Sequence, residues 1–139
     1  MPRKLIEYFN KQPRLGVIST SGKDGKVDSA VYGSPQMIDE LTVQVAFGRG
    51  RTFANLQENP HAVYMILEPG AGLLDWKGVR VYMVMKEHVT SGPRLEEYRS
   101  QMAKVVGEQA AKMVSVLATF EVTEVRPLID FGQGWGKSI

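Results

Sequence analysis

The stretch "LTVQVAFGRGRTFANLQENPHAVYMIL", Leu41 to Leu67, decides how the chain is read. Its first seven residues alternate strictly. Leu41, Val43, Val45 and Phe47 share one face and Thr42, Gln44 and Ala46 the other, which is the period of a half-buried strand. "TFANLQEN" then reads as a short helix stopped by Pro60, and "HAVYMIL" as a further strand. Between strand and helix, Arg49 and Arg51 flank Gly50. A helix start offers unpaired N–H groups and the positive end of the helix dipole, so anions bind there. Thr52 is expected as the N-cap, and Gly48 and Gly50 leave the backbone open to close approach. Arg suits a phosphate because its planar fork binds two oxygens. On spacing alone, a solvated polar loop before a capped helix is an equal alternative.

The same periodicities extend outward from this stretch. "PRKLIEYFNKQ" places Leu5, Ile6 and Phe9 at helical spacing. "RLGVIST" and Val27 to Gly33 are two strands joined through Asp24-Gly25, a hairpin turn signal. "GVRVYMVMK" alternates again, with Met83 and Met85 as core residues. "PRLEEYRSQMAKVV" is an amphipathic helix with Pro93 in its first turn and Leu95, Tyr98, Met102 and Val105 on one side. "VLATFEVTEVRPLI" is the last strand, and residues 130–139 are expected to form an irregular tail. About six strands and three helices result. Most strands follow one another without a helix between them, so a mainly antiparallel α+β barrel or sandwich is expected rather than a doubly wound sheet. One domain spans residues 1–139.

Composition narrows the function. The 17 basic and 15 acidic residues nearly balance and are scattered, which argues against a nucleic-acid groove and makes any anion site local. With no cysteine, disulfides and thiolate metal sites are excluded. No apolar run approaches the roughly 18 residues of a membrane span, and the start lacks a signal peptide's apolar segment, so a soluble cytoplasmic protein is expected. The two histidines, His61 and His88, lack a metal-ligand spacing. Covalent hydrolysis lacks its Gly-x-Ser-x-Gly elbow. "GQGWGKS" in the tail is one residue too short for a phosphate loop and has no helix to follow it.

The succession strand, "FGRGRTFANLQENP", strand resembles the central signature of the pyridoxamine 5′-phosphate oxidase-like FMN-binding split-barrel family, with Arg51, Thr52, Leu56, Asn59 and Pro60 at matching places. "DGKVDSAVYGSP", "KGVRVYMVMKEHVT", "PRLEEYRSQMAKVV" and "FEVTEVRPL" follow the family's order, so the resemblance covers about Leu15 to Leu128. It implies a six-stranded split β-barrel with flanking helices, a homodimer, and FMN at the subunit interface. Carried over by position, Arg51 and Thr52 would hold the phosphate, with Arg49 a second cation. Asp28, Ser29 and Ala30 would approach the phosphate or ribityl side, and Val45, Ala46 and Phe47 would offer main-chain groups to the flavin. Lys77 and Gly78 would lie near it from the long strand. Trp76 is read as rim or core, and Trp135 either reaches a flavin across a dimer or lies in a loose tail. Gly50-Arg51-Thr52 replaces the family's Ser-Arg-Lys, Gly78 its Gln, and "GQGWGKSI" its C-terminal Arg-Leu-x-Pro, so vitamin B6 oxidation is not implied. The expected function is an FMN flavoprotein acting as an oxidoreductase or electron carrier, with a small-molecule redox substrate or an electron-transfer partner. The alternative is a non-enzymatic module holding flavin, haem or another phosphorylated ligand.

Overall fold

A computed structural model describes residues 2–139. Helix α1, Pro2–Asn10, is followed by strands β1 (Gly16–Ser21), β2 (Val27–Val31), β3 (Gln36–Asp39) and β4 (Thr42–Phe47). Helix α2 (Arg51–Glu58), β5 (His61–Glu68) and the long β6 (Lys77–Val89) come next. Helices α3 (Pro93–Val106) and α4 (Glu108–Lys112), strand β7 (Val116–Pro127) and a 3-10 turn at Trp135–Lys137 complete the chain. All seven strands form one antiparallel sheet in the order β2-β1-β5-β6-β7-β4-β3. Its two edges, β2 and β3, do not pair with each other, so the curled sheet stays open.

Alternation sets the sheet's inner face. β1 buries every second residue, and Ile18, Tyr64, Ile66, Val79, Val81, Met83 and Phe120 form one cluster with Val43, Val45 and Phe47 of β4. α1 adds Leu5 and Phe9, and α2 adds Phe53 and Leu56. Each such large side chain contributes roughly 2 kcal/mol of burial. β6 shifts register between Tyr82 and Met83 and again between Met85 and Glu87. Such bulges bend a strand, which lets β6 pair with β5 on one side and β7 on the other while the sheet curls.

The expected six strands become seven because β3 is present. Its four residues bury only Met37, too little for a periodic signal, and its outer edge is closed by a side chain. Asn10 Nδ2 donates to the Met37 carbonyl at 2.9 Å while Met37 N–H donates to Asn10 Oδ1 at 2.8 Å. α4 is likewise unanticipated; Gly107, with φ 92°, breaks the helical run between α3 and α4. Leu95 of α3 is buried, whereas Val105 is 76% exposed, so the expected apolar stripe is buried at the helix's start and bare at its end.

The C-terminal segment is not loose. Trp135 packs half-buried against this chain's own core, Lys4 Nζ donates to the Gly136 carbonyl at 2.7 Å, and Ser138 is buried. Among the described residues, no helix is long and apolar enough to cross a membrane.

Candidate functional site

The chain leaves β4 at Phe47, turns through Gly48 to Gly50, and enters α2 at Arg51. Opposite this loop stands the β1–β2 turn, and between them lies an open groove of about 760 Å³. Arg49, Gly50 and Arg51 line one wall with Ala54, Asn55 and Glu58 of α2, and Asp24, Lys26, Val27 and Asp28 line the other. The helical spacing of Arg51, Asn55 and Glu58 puts all three on the groove side of α2. A separate hollow of about 340 Å³ on the outer sheet face, lined by Ser19, Val63, Tyr82 and Glu124 among others, has no lysine or arginine in its wall. Of these two, only the first groove offers cations to an anion, and it places two of them at a helix start.

Three cations and three carboxylates line this groove, yet among the described residues Lys26, Arg49 and Arg51 make no ion pair. Two of the carboxylates are engaged elsewhere. Asp24 Oδ1 accepts the Lys26 N–H at 3.0 Å, and Glu58 Oε1 accepts the Lys23 N–H at 3.1 Å. On the α2 wall, Asn55 Nδ2 donates to Thr20 Oγ1 of β1 at 3.1 Å, which fixes the helix to the sheet.

The helix start differs from expectation. α2 begins at Arg51 with Gly50, in extended conformation, at the N-cap position, and no side chain caps it. Thr52 is instead in the first turn and 4% exposed. With the cap two residues earlier than expected, Thr52, Phe53 and Leu56 fall on the core side and Arg51 on the groove side. The first amides of α2 consequently have no capping partner, the arrangement that leaves helix donors open to an anion.

Along β2 the alternation separates residues expected to act together. Asp28 lines the groove and Ala30 packs against the core, while Ser29 faces the other way and shares a 2.9 Å hydrogen bond with Ser19. Val45, Ala46 and Phe47 are buried. The main chain of Ala46 is also engaged: Ser34 Oγ donates to its carbonyl at 2.8 Å and accepts its N–H at 3.2 Å. The Phe47 carbonyl accepts the Ser115 N–H at 2.8 Å. The Ala46 groups and the Phe47 carbonyl therefore already have protein partners.

Lys77 and Gly78 stand far from Arg51 within one chain. α2 delivers the chain to His61 at one end of β5, and Lys77 pairs with Glu68 at the other end, about 23 Å along the strand. Gly78 has a structural task there. With φ +152°, a Cβ at this position would overlap the Ile66 carbonyl oxygen, and its own N–H and carbonyl both bond Ser138. Trp76, in the β5–β6 turn, donates its indole N–H to the Gly72 carbonyl at 3.0 Å. Beside it Asp75 accepts the Ala71 and Gly72 N–H groups, and these bonds hold its carboxyl below the usual carboxylate range.

His61 is exposed at the start of β5, and His88 meets the ring of Phe53 edge-on at 5.1 Å. No group of three or more His, Asp or Glu among the described residues could hold a metal ion. Lys26, Ala54, Asn55 and Glu58 are the lining residues the sequence did not single out. The Asp24-Gly25 turn signal bore on Lys26 alone, by fixing where the turn folds.

No family profile and no curated protein matches the sequence. Solved structures do resemble it. An FMN-binding protein from Syntrophomonas wolfei superposes with a TM-score of 0.73 at 23% identity, over 93% of this chain and 89% of the other. HutZ, the haem storage protein of Vibrio cholerae, gives 0.59 at 18% identity over 89% and 92%. A candidate pyridoxamine 5′-phosphate oxidase of Lactobacillus delbrueckii gives 0.61 at 15% identity over 90% and 92%. At these identities the likeness is one of fold. The open seven-stranded sheet is thus the split-barrel fold of the pyridoxamine 5′-phosphate oxidase-like proteins.

Proposed function

We propose that the chain binds FMN, its phosphate held in the groove at the start of α2, and serves as a flavoprotein oxidoreductase or electron carrier. The observation that carries this reading is the pairing of two unneutralised arginines, Arg49 and Arg51, with an uncapped helix start. A phosphate monoester takes up both the fork donors of arginine and the free amides of the first turn. Asp28, on the opposite wall, suits a ribityl hydroxyl as acceptor better than it suits the phosphate. When bound, FMN would supply the redox chemistry, and the protein would supply binding, orientation and the local field. The fold likeness to an FMN-binding protein agrees with this choice of ligand.

Two copies form the proposed working unit. Lys77 lies at the far end of β5 from His61, where α2 leads into the sheet, so a role for Lys77 at the flavin would call for a second chain. The outer face of β2 also bares Val27 and Val31, at 84% and 71% exposure.

The test is direct. Purified protein should carry, or take up in equimolar amount, a yellow chromophore identified as FMN by mass, and should sediment as a dimer. Protein that stays colourless in excess FMN would refute the proposal. Flavin that binds but is never reduced by nicotinamide nucleotides or any electron donor would favour a storage module on the same fold, as the likeness to a haem storage protein invites.

A further inference from the structure

We infer that Lys26 is a third cation of the phosphate site and that Glu58 is the positioning residue that holds it there. The inference rests on the groove being the FMN phosphate site. Lys26 follows the Asp24-Gly25 turn and faces Arg49 and Arg51 across the groove. Like them, it makes no ion pair among the described residues, although Asp24 is only two residues away. The reason is geometric. Asp24 Oδ1 is turned to the Lys26 backbone N–H, so the carboxylate closes the turn and leaves the ammonium unpaired.

The turn is anchored from the opposite wall. Glu58 Oε1 accepts the Lys23 N–H, and Gly22 packs so close that a Cβ there would come within 2.7 Å of the same oxygen. Gly25 N–H bonds the Gly22 carbonyl at 3.2 Å, with Gly25 at φ +83°, so the turn is short and tied at its base. One face of α2 therefore presents Arg51 at its start and, two turns later, the carboxylate that fixes Lys26 over the groove. Three monocations from the turn and the loop match a phosphate monoester carrying close to two negative charges near neutral pH. An uncharged ribityl chain offers Lys26 nothing comparable. Lys26 is thus a specificity residue: it distinguishes a phosphorylated flavin from its dephosphorylated counterpart.

The experiment compares FMN and riboflavin, titrated by flavin fluorescence into the full chain and its Lys26→Ala, Glu58→Gln, Glu58→Ala and Lys26→Ala/Glu58→Ala variants. Lys26→Ala is expected to weaken FMN about tenfold, the scale of one charge-assisted contact, and to leave riboflavin unchanged. It should also flatten the salt dependence of FMN binding. Glu58→Gln keeps an acceptor oxygen and should bind as the parent does. Glu58→Ala should weaken FMN several-fold without touching riboflavin, and the double variant should bind FMN no more weakly than Lys26→Ala alone. Unchanged FMN affinity in Lys26→Ala, or an equal loss for both flavins, overturns the role of Lys26. Losses that add in the double variant overturn the role of Glu58. A parent chain that binds neither flavin overturns the phosphate-site reading itself.

Discussion

Ser138 and Gly78 hold each other by two reciprocal hydrogen bonds. The Gly78 N–H donates to the Ser138 carbonyl at 2.8 Å, and Ser138 Oγ–H donates to the Gly78 carbonyl at 2.6 Å. The same hydroxyl accepts the Leu128 N–H at 3.2 Å, so one buried serine ties the C-terminus to the start of β6 and the end of β7. Gly78→Ala would break this knot, because its Cβ would meet the Ile66 carbonyl and its φ of +152° disfavours any side chain. The expected loss is above about 3 kcal/mol, read from the denaturant midpoint. A midpoint within about 1 kcal/mol of the parent would show that the β5–β6 pairing yields at Leu67 instead.

The two arginines should not be equal. Arg51 occupies the first turn of α2, beside the uncapped amides, whereas Arg49 precedes the helix. Arg51→Ala should weaken FMN by about tenfold or more, and Arg49→Ala by less. Isothermal titration of both variants decides it, and the reverse order would move the phosphate off the helix start.

Ser34 should control the stiffness of β4. Its hydroxyl serves both the N–H and the carbonyl of Ala46, standing in for a neighbouring strand where β3 has not yet begun. Ser34→Ala leaves two main-chain groups without their partner, an expected loss of about 2 kcal/mol. Hydrogen exchange at the Ala46 amide should accelerate far more than at Val43, which keeps its pairing with Phe120. Equal protection at both would show the clamp to be redundant.

The alkaline limb of stability should depend on Tyr8. Burial, with the negative charge of Glu68 beside it, pushes the phenol from 10.0 up to about 12. The folded state therefore keeps its proton where the unfolded chain has begun to lose it. The resulting stability is complete below about pH 10 and declines as pH rises toward 12. Tyr8→Phe keeps the ring and removes the titrating group, and should flatten the fall in melting temperature above pH 10. An alkaline limb identical to the parent's would assign the transition to another group.

Acid should act first on the cluster around Asp130, just beyond the end of β7. Hydrogen bonds from Arg126 and from the Gly132 N–H hold the Asp130 carboxyl below the usual carboxylate range, with Arg80 close by. A depressed value means that the stabilisation is present above about pH 4 and lost as pH falls below it. Asp130→Asn should remove that part of the acid dependence, measured as melting temperature between pH 5 and pH 2. An unchanged profile would place the acid transition outside this cluster.

Strands with strict alternation, such as β1 and β4, were legible in the sequence because a half-buried strand must write its two faces into its composition. The β1–β2 turn was legible because Asp24-Gly25 allows few other conformations, and Gly25 does adopt a positive φ. β3 was not, since a four-residue strand with one buried side chain is set by Asn10 and its neighbour rather than by its own pattern. Thr52 misled for a related reason. A threonine before an apolar run satisfies the local rule for a cap, but burying it with Phe53 outweighed one capping bond. Arg49 and Arg51 could be picked out as a pair. Lys26 could not, because its approach to them depends on a contact between Glu58 and the backbone of a distant turn.

The pairing of β4 with β7 has a kinetic consequence. Every residue lining the proposed phosphate groove falls between Asp24 and Glu58. The strand that carries its arginine loop is nevertheless held to the sheet by β7, which is made last and reaches Val43 through Phe120, far along the chain. Closing so long a loop is entropically slow. On the ribosome, the turn and α2 can form early, while the loop between them becomes rigid only once the C-terminal strand has emerged and docked. Order in the loop of the proposed site is thereby tied to the docking of β7.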